Sequence, residues 1–213
     1  MAPTGGRRAA IGTNPIAIAV PAAGPGPFVL DMATSVVPRG RLEVAARRGE
    51  HVPAGWALAS RGRATHDPEE ALAGALLPLG GLPMTSGYKG YGLAMAVELL
   101  AAVLPGALYG PLVAPMWSTA GPSDLGQFFM AIDVAAFGEP AAFKERACDL
   151  LQRMKQTPLA AGAGEILVAG EKEQRAAAQA RQQGIDLDPK VVTALTQLGA
   201  RYGVPLPFAT GEV

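Results

Sequence analysis

The stretch TSGYKGYGLAMAVELLAAVLPG, residues 85–106, limits the possible folds of this chain more than any other. From residue 91 to 104 it holds one charge, Glu98, and it stops at Pro105-Gly106. That run is too short to cross a bilayer core of about 30 Å, so it reads as a core helix over 90–104. Its head is unusual: Lys89 stands among Gly87, Gly90 and Gly92. Glycines let backbone N–H groups approach a ligand closely, a helix N-terminus adds partial positive charge, and the lysine adds a full one. Two readings stay open, an anion site and a glycine-rich helix entry with a solvated lysine.

The flanking sequence sorts into mixed elements. IAIAV at 16–20 and FVLDM at 28–32 read as two strands of a hairpin between turn-forming GTNP and AAGPGP. Pro38 opens a helix over 39–48 that Gly49 ends. Asp67 caps a helix starting at Pro68 and running to about Leu76, with Glu69 and Glu70 where the dipole favours them. Residues 106–124 form a long loop, and GQFFMAID at 126–133 reads as a third strand with Phe128, Met130 and Ile132 on one face. Pro140 starts a helix to about Lys155 with Phe143, Ala147, Leu150, Leu151 and Met154 as its apolar stripe. EILVAG at 165–170 reads as a strand, residues 171–183 as a polar helix closed by Gly184. Asp188-Pro189 opens a last helix, with Val192, Leu195, Leu198 and Tyr202 inward and Gly203 at its end. No regular βαβ alternation suggests a doubly wound sheet.

Bulk properties exclude several classes. Lysines and arginines number 18 and so do aspartates and glutamates, so no basic excess argues for nucleic acid. The single cysteine, Cys148, rules out an intramolecular disulfide and reads as a small core hydrophobe. Two histidines, His51 and His66, are too few for an ordinary zinc site. A reducing cytosolic setting is the expectation.

Familiar motifs are missing: no G-x-G-x-x-G, no G-x-x-x-x-G-K-[ST], no H-E-x-x-H and no G-x-S-x-G. Asp31, inside an apolar strand and followed by Thr34 and Ser35, could accept hydrogen bonds from a ribose or simply bond the next turn. Glu98 needs a partner if buried, and an arginine or a rim position would serve. Glu171 and Glu173 are explained by a helix's first turn.

As an ordered set, six blocks carry more than any one of them. GTNPIAIAVP, FVLDMATSVVPRGRLEVAARRGEHVPAGWAL, DPEEALAGALLPLGG, SGYKGYGLAMAVELLAAVLPGALYG, DLGQFFMAIDVAAFG and ILVAGEKEQ span nearly the whole chain. They resemble the malate/L-lactate dehydrogenase family, the non-Rossmann NAD(P)-dependent 2-hydroxyacid dehydrogenases, and its malate/sulfolactate-like branch most. The resemblance implies an α+β fold, a largely antiparallel sheet wrapped by helices, with C-terminal helices. It implies a dinucleotide-binding part over 1–138 and the rest of the sheet domain plus a helical segment over 139–213. It implies cofactor contacts at Val29, Leu30, Asp31, Met32, Ala33, Thr34, Tyr88, Lys89, Gly170 and Glu171, with NAD or NADP as cofactor. A small 2-hydroxy or 2-oxo acid is the implied substrate and a cytoplasmic homodimer the implied state, with neither nucleic acid, membrane nor metal involved.

One departure accompanies the match. The family's proton-donating histidine and a carboxylate-binding arginine belong to a segment preceding the first block, and His51 and His66 do not match that histidine. The expectation is therefore a shortened dehydrogenase whose catalytic residues are unknown from this chain. The alternative is a non-catalytic descendant that binds a dinucleotide or a partner. Arg39, Arg41, Arg47 and Arg48 could receive a 2′-phosphate or be a solvated helix face, leaving NAD against NADP open.

Overall fold

The computed structural model describes residues 1–24, 26–114, 121 and 123–206. The chain divides into two compact units, Met1–Gly170 and Glu171–Val213. In the first unit, β1 (Ile16–Val20) and β2 (Phe28–Met32) pair antiparallel with Ile16 opposite Met32 and Val20 opposite Phe28. This is the expected hairpin, residue for residue.

Helix α1 (Arg39–Arg48) also has the expected bounds: Pro38 precedes it and Gly49 closes it in the left-handed conformation at φ 65°. Leu42 and Ala45 on its inner face meet Val52, Ala57 and Ala71 in the main apolar cluster, against which Trp56, Leu72 and Leu76 pack. Leu42 is almost wholly buried, worth roughly 1.5–3 kcal/mol for a side chain of its size. Helix α2 (Pro68–Ala73) is capped by Asp67, whose carboxylate accepts from the N–H groups of Glu69 at 2.8 Å and Glu70 at 3.3 Å. It ends earlier than expected. Gly74 breaks it because a Cβ there would run into the Leu58 carbonyl, and Ala75–Leu76 become β4, paired antiparallel with β3 (Ala57–Leu58).

Helix α3 (Gly87–Glu98) starts at Gly87 rather than residue 90 and continues as a π-helical turn over Leu99–Val103. Helix α4 (Pro140–Lys155) matches its expected bounds. Its apolar stripe is less buried than the pattern suggests, with Leu150 57% and Met154 48% exposed. The strand expected over 126–133 is not formed: no backbone hydrogen bond joins residues 123–132 to another described residue, and a strand without a partner is only an extended segment. Phe128, Met130 and Ile132 accordingly stay exposed. Residues 165–170 likewise form no strand, although the Ala169 carbonyl accepts from the Val29 N–H at 3.1 Å beside β2.

In the second unit, α5 (Glu171–Gln183) and α6 (Pro189–Tyr202) follow the sequence reading, with Asp188 capping α6 and Gly203 closing it at φ 65°. Val192 and Leu195 are half-buried, whereas Leu198 and Tyr202 are exposed. All strand pairing among the described residues is antiparallel, and the fold is mixed α+β. No helix among the described residues is long and apolar enough to cross a membrane.

Candidate functional site

The site builds outward from the exit of β2. Strand alternation sets Val29 and Asp31 on one face and Leu30 and Met32 on the other. Asp31 is exposed and its carboxylate makes no hydrogen bond among the described residues, so the turn-bonding explanation for it does not apply. Gly170 packs edge-on against this strand. Its φ is 92°, and a Cβ there would lie 3.0 Å from the Val29 Cβ and 3.1 Å from the Val29 carbonyl oxygen. Close approach and left-handed backbone both demand glycine. Glu171 belongs to the second unit, where it begins α5 and accepts from the Arg175 guanidinium at 2.6 Å.

Beyond β2, Ala33 is half-buried and Thr34 is fully buried. The Thr34 hydroxyl donates to the carbonyls of Thr13 and Asn14, both at 3.0 Å. Its N–H donates to Thr13 O at 2.8 Å, and its carbonyl accepts from Leu79 N at 2.8 Å. Every polar group of Thr34 is thus engaged within the chain, and the residue acts as a strut. The pairing continues as Val36 N donates to Leu77 O at 3.0 Å.

That pairing brings the head of α3 to the exit of β2. Gly80 and Gly81 turn the chain with φ of 94° and 76°, and Ser86 enters α3 at φ 68°. A Cβ on Gly87 would penetrate the Gly81 carbonyl, and one on Gly90 would penetrate the Leu79 carbonyl and sit 2.6 Å from its nitrogen. Both glycines are buried. Their absent side chains let helix and loop backbones touch; they do not open a cradle for an anion. Gly92 differs, since nothing lies within 4 Å of the position a Cβ would take. Lys89 is exposed, with no partner for its ammonium group among the described residues, and Tyr88 beside it is 55% exposed. The lysine is free to meet an anion.

Two residues that pattern reading undervalued stand behind this arrangement. Glu98 is half-buried and pairs with no arginine: Oε2 accepts from Asn14 Nδ2 at 2.6 Å and Oε1 from Gly110 N at 2.5 Å. The same Asn14 Nδ2 donates to Ala94 O at 2.9 Å. The amino group of Met1, which donates to Ile11 O, is buried nearby; burial lowers its pKa and the Glu98 charge partly restores it. An Asn–Pro step in the sequence signals only a turn, so nothing local announces this partner 84 residues away.

Arg41, Arg47 and Arg48 of α1 line a separate open cleft of about 660 Å³ with Trp56, His51 and Glu50. Arg39 pairs with Glu43 at 3.2 Å, Arg48 with Glu50 at 3.9 Å, and Arg41 lies 5.9 Å over the Trp56 ring. His51 is exposed, and His66 Nδ1 lies 3.0 Å from Val52 O, clasping the loop before α2. Neither imidazole is drawn to Asp31 or Lys89 by any hydrogen bond. Among the described residues no group of three or more acidic, His or Cys side chains could hold a metal.

With this geometry in place, comparison with known proteins is decisive. Residues 1–196 match the family model described as malate/L-lactate dehydrogenase. The chain belongs to that family. Over 206 residues it is 40% identical to malate dehydrogenase of Pyrococcus abyssi, covering 96% of this chain and 56% of that protein. It is 36% identical to L-sulfolactate dehydrogenase of Methanothermobacter thermautotrophicus, covering 97% and 57% respectively. The crystal structure of malate dehydrogenase from Entamoeba histolytica superposes with a TM-score of 0.90 at 34% identity, over 97% of this chain and 59% of that one. The chain therefore spans a little over half the length of the curated relatives it matches.

Proposed function

We propose that the chain belongs to an NAD(P)-dependent oxidoreductase that interconverts a small 2-hydroxy acid and its 2-oxo counterpart, and that it contributes the dinucleotide-binding surface. The observation that carries this reading is that two charges without a side-chain partner among the described residues stand on segments joined to one another. Asp31 at the exit of β2 and Lys89 at the head of α3 belong to segments joined by the Thr34–Leu79 hydrogen bond. Lys89 suits a phosphate or carboxylate anion, and Asp31 suits the hydroxyls of a ribose. Val29, Leu30, Met32 and Ala33 are half-buried apolar residues along β2 and its exit, and Tyr88 beside Lys89 offers an exposed aromatic ring. Gly170 supports the strip from behind, Thr34 braces it, and Glu171 opens α5 directly after that support.

When bound, the dinucleotide supplies the hydride that moves to or from the substrate carbon. Residues of this chain bind and orient it. Neither His51 nor His66 is assigned a proton-transfer role, because no hydrogen bond joins either to Asp31 or Lys89 among the described residues and His66 is held at the Val52 carbonyl. We assign 1–138 to the dinucleotide-binding part and 139–213 to the remainder of the sheet domain with its C-terminal helices. The working state proposed is a cytoplasmic homodimer.

The test is a titration of the purified chain with NADH and NADPH, following nicotinamide fluorescence, beside Lys89→Ala. Saturable binding weakened about tenfold by the substitution is expected for loss of one charge-assisted contact. A folded chain that binds neither nucleotide would overturn the reading. The ratio of the two affinities fixes the cofactor.

A further inference from the structure

The polar ring around Asn14 lies outside the binding surface itself, yet it ties the exit of β2 to the head of α3. Asn14 sits at φ 34°, a conformation that costs a side-chain-bearing residue energy and that asparagine tolerates better than most. Its carbonyl is held by the Thr34 hydroxyl at 3.0 Å, and its side-chain amide is held by α3, at Ala94 O and Glu98 Oε2. Thr34 in turn accepts from Leu79 N, and Leu79 is the backbone on which Gly90 lies. The contacts close on themselves: Asn14 to Thr34, Thr34 to Leu79, Leu79 to the head of α3, and along α3 back to Asn14.

A ring of this kind fixes a rigid helix at two points. The contacts of Gly87 and Gly90 hold the first turn of α3 against the loop. A further fixation, at Ala94 and Glu98, lies about one and a half to two and a half turns past Lys89 and restrains the pitch of the helix. Glu98 is suited to this because both its carboxylate oxygens are used, one by Asn14 and one by the Gly110 N–H. An arginine partner would have neutralised the carboxylate at a flexible distance; a short asparagine amide sets a distance instead.

We infer that Asn14 and Glu98 are positioning residues for cofactor binding: their hydrogen bond sets the pitch of α3 and thereby the placement of Lys89 relative to the strip Val29–Ala33. The inference rests on the proposed dinucleotide role of that surface. It assigns no contact with the ligand to either residue.

The experiment measures NADH affinity by nicotinamide fluorescence in Asn14→Gly, Glu98→Gln, the reciprocal pair Asn14→Asp with Glu98→Gln, and each single change in a Lys89→Ala background. Asn14→Gly keeps a residue at ease with positive φ while deleting the link to α3, and so provides a second variant whose backbone is unstrained. In the reciprocal pair a glutamine amide donates to the aspartate and its oxygen still accepts from Gly110, while the bond to Ala94 O is lost because a carboxylate cannot donate. Expected are a weakening of about tenfold in each single variant, on the scale of one lost hydrogen bond to a charged group, and partial recovery in the reciprocal pair. In the Lys89→Ala background the same changes are expected to have little further effect, because what they misplace is already gone. Two results overturn the inference. One is wild-type NADH affinity in Asn14→Gly. The other is an unchanged fold-loss in the Lys89→Ala background, which marks general stabilisation rather than placement of the lysine. Absence of binding of both NADH and NADPH by the wild-type chain defeats the proposed function instead, and this inference with it; a chain that binds only NADPH is assayed with NADPH throughout.

Discussion

Replacing each glycine of the α3 head by alanine separates two physical accounts of GYKGYG. Helix propensity alone predicts that all three changes stabilise, by about 1 kcal/mol each, since alanine is the better helix former. The packing predicts opposite signs. At Gly92 nothing lies within 4 Å of a new Cβ and the residue is exposed, so Gly92→Ala gains the propensity difference, near 1 kcal/mol, raising the melting temperature by about 2–4 °C. At Gly90 the new methyl penetrates the Leu79 carbonyl and comes within 2.6 Å of Leu79 N. The obstructing atoms are backbone, and Leu79 cannot retreat without lengthening its 2.8 Å bond to the Thr34 carbonyl. Overpacking of this kind costs about 1–3 kcal/mol, and a stretched bond about 1 kcal/mol more, so the sum exceeds the propensity gain. Gly87→Ala meets the Gly81 carbonyl in the same way, with the Gly81 carbonyl carbon at 2.8 Å. Thermal and urea denaturation followed by far-ultraviolet circular dichroism measures all three. Stabilisation by Gly90→Ala or Gly87→Ala would refute the close-packing account and return those glycines to the role of an anion cradle.

Thr34→Val keeps the shape of the buried side chain but leaves the Thr13 and Asn14 carbonyls without their hydroxyl donor; a loss of about 1–3 kcal/mol in urea denaturation is expected. Asp67→Ala removes the cap from α2 and two N–H acceptors with it, for about 1 kcal/mol by the same assay, while Asp67→Asn should recover most of that. The amino group of Met1 gives a pH dependence. Its folded pKa lies below the usual 8.0, chiefly because burial disfavours the charged form, so between those two values the unfolded chain binds more protons. Stability therefore rises with pH through that window and levels off above it, which urea midpoints measured at stepwise pH up to 9 would show, and a midpoint falling towards pH 8 would contradict.

What the sequence disclosed and what it hid divide along one physical line. Helix limits set by local chemistry were legible: Pro38 with Gly49 for α1, Asp67-Pro68 for α2, Pro140 for α4, Asp188-Pro189 with Gly203 for α6. The β1–β2 hairpin was legible because two apolar runs close in sequence needed only each other. Residues 126–133 were not, since apolar alternation reports a tendency to be extended, whereas a strand exists only where a partner offers its backbone. The same limit hid the end of α2, which is set by the Leu58 carbonyl sixteen residues away in sequence. Of the candidate site, Asp31 and Lys89 showed themselves as charges in apolar surroundings. Asn14 and Thr34 did not, because their work lies in hydrogen bonds to backbone atoms that no local pattern encodes.

The fate of the three glycines bears on how a dinucleotide can be held without a glycine fingerprint. In a fingerprint loop, free N–H groups at a helix start surround the pyrophosphate. Here the Gly87 N–H is bonded to Leu82 O at 3.1 Å and the Lys89 N–H to Ser86 O at 3.0 Å, so the helix start has spent donors on its own loop. What it still offers an anion is chiefly the Lys89 ammonium, a point charge on a flexible stem in open solvent. A point charge gives attraction without much direction, and salt weakens it over a Debye length of about 8–10 Å. Direction must come from elsewhere, and among the described residues the strip after β2, with its brace at Thr34, is a frame joined to the head of α3. Affinity through Lys89 should then depend on how well α3 is held against that strip, which makes the Asn14–Glu98 bond as consequential as the lysine it never touches.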